Sequence, residues 1–210
     1  MKYFICMLVT IISLLHIGFA QSKSSKNKTR FGVKAGYNYI NSTDIPSIAI
    51  DNANGFNAGI FFSGEDDGVK ASGDFLFSKQ GYKYKSGKVD MNYLTTTETA
   101  DFFVVEDVFK LQIGLQIGYL LSATADSSGT SFNTSSKKAT DYFNRFAFGA
   151  AGGAELISEP ELSIGIRYTV GINNLLKTYE PNNPVPAFLP ASPDAIIKSN
   201  LFQLYAGFRF

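Results

Sequence analysis

The residue types that most often carry chemistry are nearly missing from this chain. Its 210 residues include one cysteine, one histidine and no tryptophan. Cys6 and His16 both fall in the opening stretch MKYFICMLVTIISLLHIGFA, whose single charge is Lys2 and which ends Gly18-Phe19-Ala20. A basic start, a short apolar run and small residues ahead of a polar one are the features of a secretory signal peptide. Residues 1–20 are therefore expected to be a signal peptide cleaved after Ala20. A membrane anchor fits less well, because the apolar run is short and flows straight into small residues. Cys6 lies too early in it to accept a lipid. The remainder has no thiol for a disulfide or a cysteine metal site. It also has no imidazole, which removes a Ser–His nucleophile pair, a histidine base and a histidine metal ligand. No catalytic, cofactor-binding or metal residue is assigned, and no cofactor is expected.

Excess charge is absent as well. Lys2 is one of 19 basic residues, and the others are level with the 18 acidic ones. Nucleic acid is thus not an expected partner. After residue 20 no segment approaches the roughly 18 to 20 continuous apolar residues of a spanning helix. Any crossing of a membrane must use strands.

What the chain does have is rings and glycines: 19 Phe, 11 Tyr and 19 Gly. Residues 21–29, QSKSSKNKT, are polar and basic and read as a disordered periplasmic lead-in. From residue 30 onward strict alternation appears, the signature of strands with two unlike faces. Phe31, Val33, Ala35, Tyr37 and Tyr39 share one face; Gly32, Lys34, Gly36 and Asn38 share the other. The pattern recurs in GFNAGIFFSG, in VKASGDFLFSKQGYKY and in VFKLQIGLQIGYLL. It returns in FNRFAFGAAGGAEL, LSIGIRYTVGI and the terminal NLFQLYAGFRF. Residues 91–105, MNYLTTTETADFFVV, are Thr-rich, which suits a strand, but alternate poorly. With them the strands number eight.

Connections differ in length on the two sides. Short ones fall near 64–68, 105–108 and 157–161; long ones are 41–54, 82–90, 122–140 and 173–198. This is the asymmetry of an outer-membrane barrel. The predicted fold is all-β: an eight-stranded antiparallel transmembrane β-barrel, an up-and-down meander over residues 30–210. Side-chain volume assigns the faces. A barrel of this size has an interior just wide enough for side chains, so the rings would overfill it while glycines and a few long polar chains fit. The rings are assigned to lipid and the glycines to the lumen. The chain then keeps its pattern to Phe210 because the last strand must pair with the first, since an open edge in hydrocarbon leaves backbone groups unsatisfied. Phe208 and Phe210 become aromatics at the membrane boundary.

FGVKAGYN, DFLFSKQGYKY, GLQIGYLLSA, IGIRYTVGI and FQLYAGFRF, in that order, resemble the outer-membrane β-barrel family common in Bacteroidetes and often labelled PorT-like. The resemblance covers essentially all of the chain after the signal segment. It implies an eight-stranded barrel in the bacterial outer membrane and, for the best-known member, a part in a gliding and secretion-type export machinery. Asp74 stands where the family usually has Glu, and YLTTTETADFF replaces an apolar strand usual there.

The lumen-facing charges expected to form ion pairs are Lys34, Asp74, Lys110, Arg145, Glu155, Arg167 and Arg209. Asp74 and Arg167 lie at similar heights above their periplasmic turns, and Glu155 and Arg209 both lie near the periplasmic end. A packed ion-pair network is the expected arrangement, because buried charges must be paired; a charge-gated solute path is the alternative. EDDG (Glu65 to Gly68) reads as an acidic hairpin turn rather than a cation site, lacking calcium-loop spacing. The last long loop is apolar and Pro-rich (Val185, Phe188, Leu189, Ile196, Ile197); it caps the barrel mouth or meets a partner. Four functions follow from these features: a non-enzymatic barrel whose loops make structural or protein contacts; a small-solute or ion pore; a membrane-embedded hydrolase or acyltransferase, disfavoured without histidine; and a soluble ligand-binding barrel, opposed by the volume argument. Expected partners are outer-membrane lipid, the barrel-assembly machinery through the C-terminal strand, and an envelope or secretion protein through the long loops.

Overall fold

The computed structural model describes residues 29–45, 51–66, 69–84, 87–127, 136–158, 161–177, 188–189 and 195–210. Within them run eight strands and one short helix: β1 (Arg30–Ile45), β2 (Ala53–Asp66), β3 (Val69–Tyr84), β4 (Gly87–Val105), β5 (Phe109–Ser127), α1 (Ser136–Asp141), β6 (Phe146–Ser158), β7 (Leu162–Gly171) and β8 (Ile196–Arg209). Each strand pairs antiparallel with the next, and β8 pairs with β1, closing the sheet into a barrel. No described helix is long and apolar enough to cross a membrane.

Closure reaches the last residue. The Phe210 amide donates to the Phe31 carbonyl at 3.0 Å, and that of Arg209 to the Glu161 carbonyl at 2.8 Å. The Phe210 ring itself is 74% exposed. The faces fall as side-chain volume demands. Phe31, Val33, Ile60, Ile113, Leu115, Ile164 and Leu204 point outward, while Lys34, Asn38, Asp74, Arg167 and Gln203 are buried inside. Outward rings pair towards the long-connection ends of the strands, Phe56 with Phe77 and Tyr119 with Phe146, their centroids 5.9 and 5.3 Å apart. Such aromatic girdles mark the edges of the apolar band of outer-membrane barrels.

The lumen is not free of rings. Phe61 and Tyr205 point inward and are buried, and the glycines make room for them. A β-carbon on Gly32 would strike the Phe61 ring, and one on Gly165 the Tyr205 ring.

Strands also run further than alternation suggested on the long-loop side. β3 continues to Tyr84 and β4 begins at Gly87, so sheet fills most of 82–90; β5 continues to Ser127, well into 122–140. A register shift explains the second case. Asn92 pairs with Ser122 but Tyr93 with Leu120, so Leu121 is an extra residue. A bulge of this kind changes which parity faces inward: up to Leu120 the even residues face the lumen, and beyond it Ala123 and Ala125 do. At the start of the sixth strand the opposite correction applies. Phe143 lies ahead of β6, bridges Leu176 and is buried.

Candidate functional site

The lumen is filled in three storeys. The lowest is ionic. Asp74 Oδ2 accepts from Lys34 Nζ at 2.9 Å and from Arg167 Nη1 at 2.7 Å. Lys34 and Arg167 come from β1 and β7, so the cluster ties three strands across the barrel. Glu155 accepts from Arg209 at 2.9 Å and lies 3.7 Å from Lys110. Lys110 donates to Asp101 at 2.6 Å and to Ser72 at 3.0 Å. The Tyr205 hydroxyl sits between Gln112 and Glu155, 2.9 and 3.1 Å away. Its ring lies under the Lys34 ammonium, 4.4 Å from the centroid. Asp74 is 1% exposed and Arg167 2%. Charges this deep require partners on several sides, and here each has at least one.

Of the seven expected lumen charges, six are brought together. Arg145 is not among them. It stands just before β6, half-buried, and donates to the Leu120 carbonyl at 3.1 Å. It follows α1 and precedes the regular strand, so no barrel wall aims it inward. Asp101 was missed although it carries the Lys110 pair. It shares one parity of β4 with Tyr93, Thr95, Thr97 and Thr99, and all five are buried. Glu65 stands 3.8 Å from Lys70 across the hairpin; Asp67 and Gly68 of the acidic turn lie outside the described residues.

The middle storey is neutral and polar. Asn38 donates to Ser78 at 3.0 Å and accepts from Asn57 at 2.6 Å and from Gln203 at 3.2 Å. Gln116 donates to Thr97 at 3.1 Å. A cavity of about 30 Å³ lies at the top of this layer, lined by Thr95, Gln116, Thr169 and Leu201 among others. That is room for one or two water molecules at most.

The upper storey is apolar. Tyr82, Val89, Met91, Tyr93, Leu120, Ala123, Phe143, Leu175, Leu176 and Ile197 form one buried cluster inside the mouth. Phe188 and Leu189 of the last loop belong to it; the Phe188 carbonyl accepts from the Tyr82 hydroxyl at 2.8 Å, and its ring packs edge-on against Tyr142. These two residues cap the barrel. Ile196 faces out, and Val185 is outside the described residues. Among the described residues, no cluster of three or more acidic, histidine or cysteine side chains could hold a metal ion.

At the periplasmic mouth a shallow cavity of about 160 Å³ opens between Arg30, Glu65, Lys70, Glu106, Lys110 and Arg209. It ends on the Lys110–Asp101 pair and does not continue upward through the ionic layer.

A family model described as "Outer membrane protein beta-barrel domain" matches residues 19–177. Among solved structures, Ail, the attachment invasion locus protein of Yersinia pestis, superimposes with a TM-score of 0.50 at 16% identity, covering 87% of this chain and 99% of Ail. Neisserial surface protein A gives 0.50 at 14% identity, covering 86% of this chain and 97% of its own. At these identities the likeness is one of fold. No curated protein matches the sequence.

Proposed function

This chain belongs to the outer membrane protein beta-barrel domain family, and on that premise we propose that it is a closed, non-conducting and non-catalytic barrel whose work is done by contact. Its extracellular end serves as a platform for an envelope or secretion protein. The observation that carries this reading is the lumen. An ionic layer, an amide layer and an apolar cluster succeed one another, with a cavity of about 30 Å³ at their junction. A solute path would need all three to part, at the cost of stripping buried charges of their partners.

The apolar cluster also supports the platform role. It roots α1, Phe143 and Phe188 on strands that extend beyond the lipid belt, giving the outer end a core of its own. Rigid support of loops is what lets them bind with precision. The pore, the alternative reading, has no such observation behind it.

The same proposal includes cleavage of the leader after Ala20, membership in the PorT-like group of Bacteroidetes, and assembly through the Phe210-ended last strand by the barrel-assembly machinery. Without Cys6 and His16 the mature chain has neither thiol nor imidazole, which supports a function without chemistry. Planar bilayers containing the refolded barrel provide the test: no conductance steps are expected, whereas regular single-channel steps would establish a pore.

A further inference from the structure

At mid-belt seven of the eight walls present only apolar residues to the lipid; β4 does not. Between Leu94 above and Phe102 below, its outward residues are Thr96, Glu98 and Ala100. Glu98 is midway, paired across β5 with Leu115, itself at the centre of the run Leu111 to Tyr119. A carboxyl group therefore faces outward at the middle of the apolar belt. Glu98 Oε1 is buried against the wall with no hydrogen-bond partner. On the neighbouring β3 the cross-strand partner of Glu98 is Gly73, covered by the Phe62 ring and by Glu98 itself, and that of Ala100 is Ala71.

Ionisable side chains at this depth are costly and find partners inside a protein contact. Lipid tails provide none. We propose that the β3–β4 wall is the interface for a second copy of this chain, the two barrels standing side by side about a two-fold axis along the membrane normal, with Glu98 meeting Glu98. The geometry favours self-association. Two copies inserted the same way place equivalent residues at equal depth, and a two-fold contact must be self-complementary. Carboxyl groups that carry their protons satisfy this, each donating once and accepting once. An off-axis contact would need an outward cation at mid-belt, and the outward positions at that level on the described strands are Ala35, Ile60, Phe75, Leu115, Gly152, Ile166 and Leu204. The small residues Ala71 and Ala100 keep the wall low beside Glu98, as small residues do at helix contacts in membranes.

The test uses the full chain with Cys6→Ser, expressed in bacteria, so that an added cysteine is the only thiol. Oxidative cross-linking in the membrane compares Thr96→Cys, on the proposed interface, with Leu204→Cys, outward on β8. A disulfide-linked dimer is expected from Thr96→Cys severalfold in excess of Leu204→Cys. Adding Glu98→Leu should abolish that excess, and Glu98→Gln, whose amide also donates and accepts, should keep it. Slower migration after boiling verifies that each variant is folded. Equal dimer from the two cysteines, or an excess that survives Glu98→Leu, overturns the proposal. So does cross-linking of Thr96→Cys to a protein of different mass in place of the dimer, which would give this wall to another membrane protein.

Discussion

The lower and upper halves of this barrel are built on opposite plans. Around Asp74 the outward residues are Phe75 and Phe77 and the inward ones carry charge; around Tyr82 the inward residues are rings and the outward ones include Lys83 and Lys88. One strand, β3, contains both. Its inward parity never changes: Ser72, Asp74, Leu76, Ser78, Tyr82 and Tyr84 all face the lumen. What changes is the medium outside. In lipid the apolar side chains belong outside, and the polar ones must satisfy each other within. Above the lipid the outside is water, and burial of apolar surface again drives the inside together. The apolar set in DFLFSKQGYKY therefore jumps from odd to even positions between Phe77 and Tyr82, and that jump marks the membrane surface.

If the halves are separate in this way, substitutions should separate them. The largest effect is expected from Asp74→Ala, which leaves Lys34 and Arg167 facing each other in a buried site; breaking such a pair costs about 3–5 kcal/mol. Urea unfolding in lipid vesicles, followed by the boiled-versus-unboiled gel shift, measures it. A loss under about 1 kcal/mol, the scale of an exposed pair, would mean the lower lumen is wet. Phe143→Ala removes a ring from the upper cluster and should cost about 3–4 kcal/mol locally. Here the gel shift should survive while protease cleavage of the outer segments rises. Loss of the shift as well would show the two halves to be one cooperative unit.

Gly165→Ala sharpens the lower half. Its β-carbon would meet the Tyr205 ring, and forced overpacking of this sort costs about 1–3 kcal/mol. In a Tyr205→Leu background the same glycine substitution should cost little further, if the glycine is there to seat the ring. The smallest effect is expected from Lys70→Ala at the periplasmic rim, where half-buried Lys70 pairs with exposed Glu106. Exposed pairs of this kind contribute less than about 1 kcal/mol, so its urea midpoint should barely move.

Much of this was legible before any coordinates. Alternation in seven strands, short turns against long connections, and glycines set opposite rings point to a closed barrel with the rings outward. The pairs Asp74–Arg167 and Glu155–Arg209 could be anticipated from height above the turns alone. What was hidden had physical causes. The outer reach of β5 was obscured by the bulge at Leu121, which swaps parity within an unbroken strand. Asp101 was hidden because β4 has polar residues on both faces, leaving no contrast from which to read a direction. Arg145 was misplaced because a sequence shows where a charge lies along the chain, not whether a strand has yet begun.

The sequence by itself determined the number of walls, their order and which side of each meets lipid, because these depend on periodicity and bulk, which are local properties. Only the tertiary structure decided how the lumen is closed. Whether Asp74 meets Lys34 and Arg167, whether Tyr205 lies beneath an ammonium, and whether Phe188 folds back over Tyr82 all depend on barrel shear and strand register. Those quantities are set by every pairing around the ring at once, and no single strand encodes them.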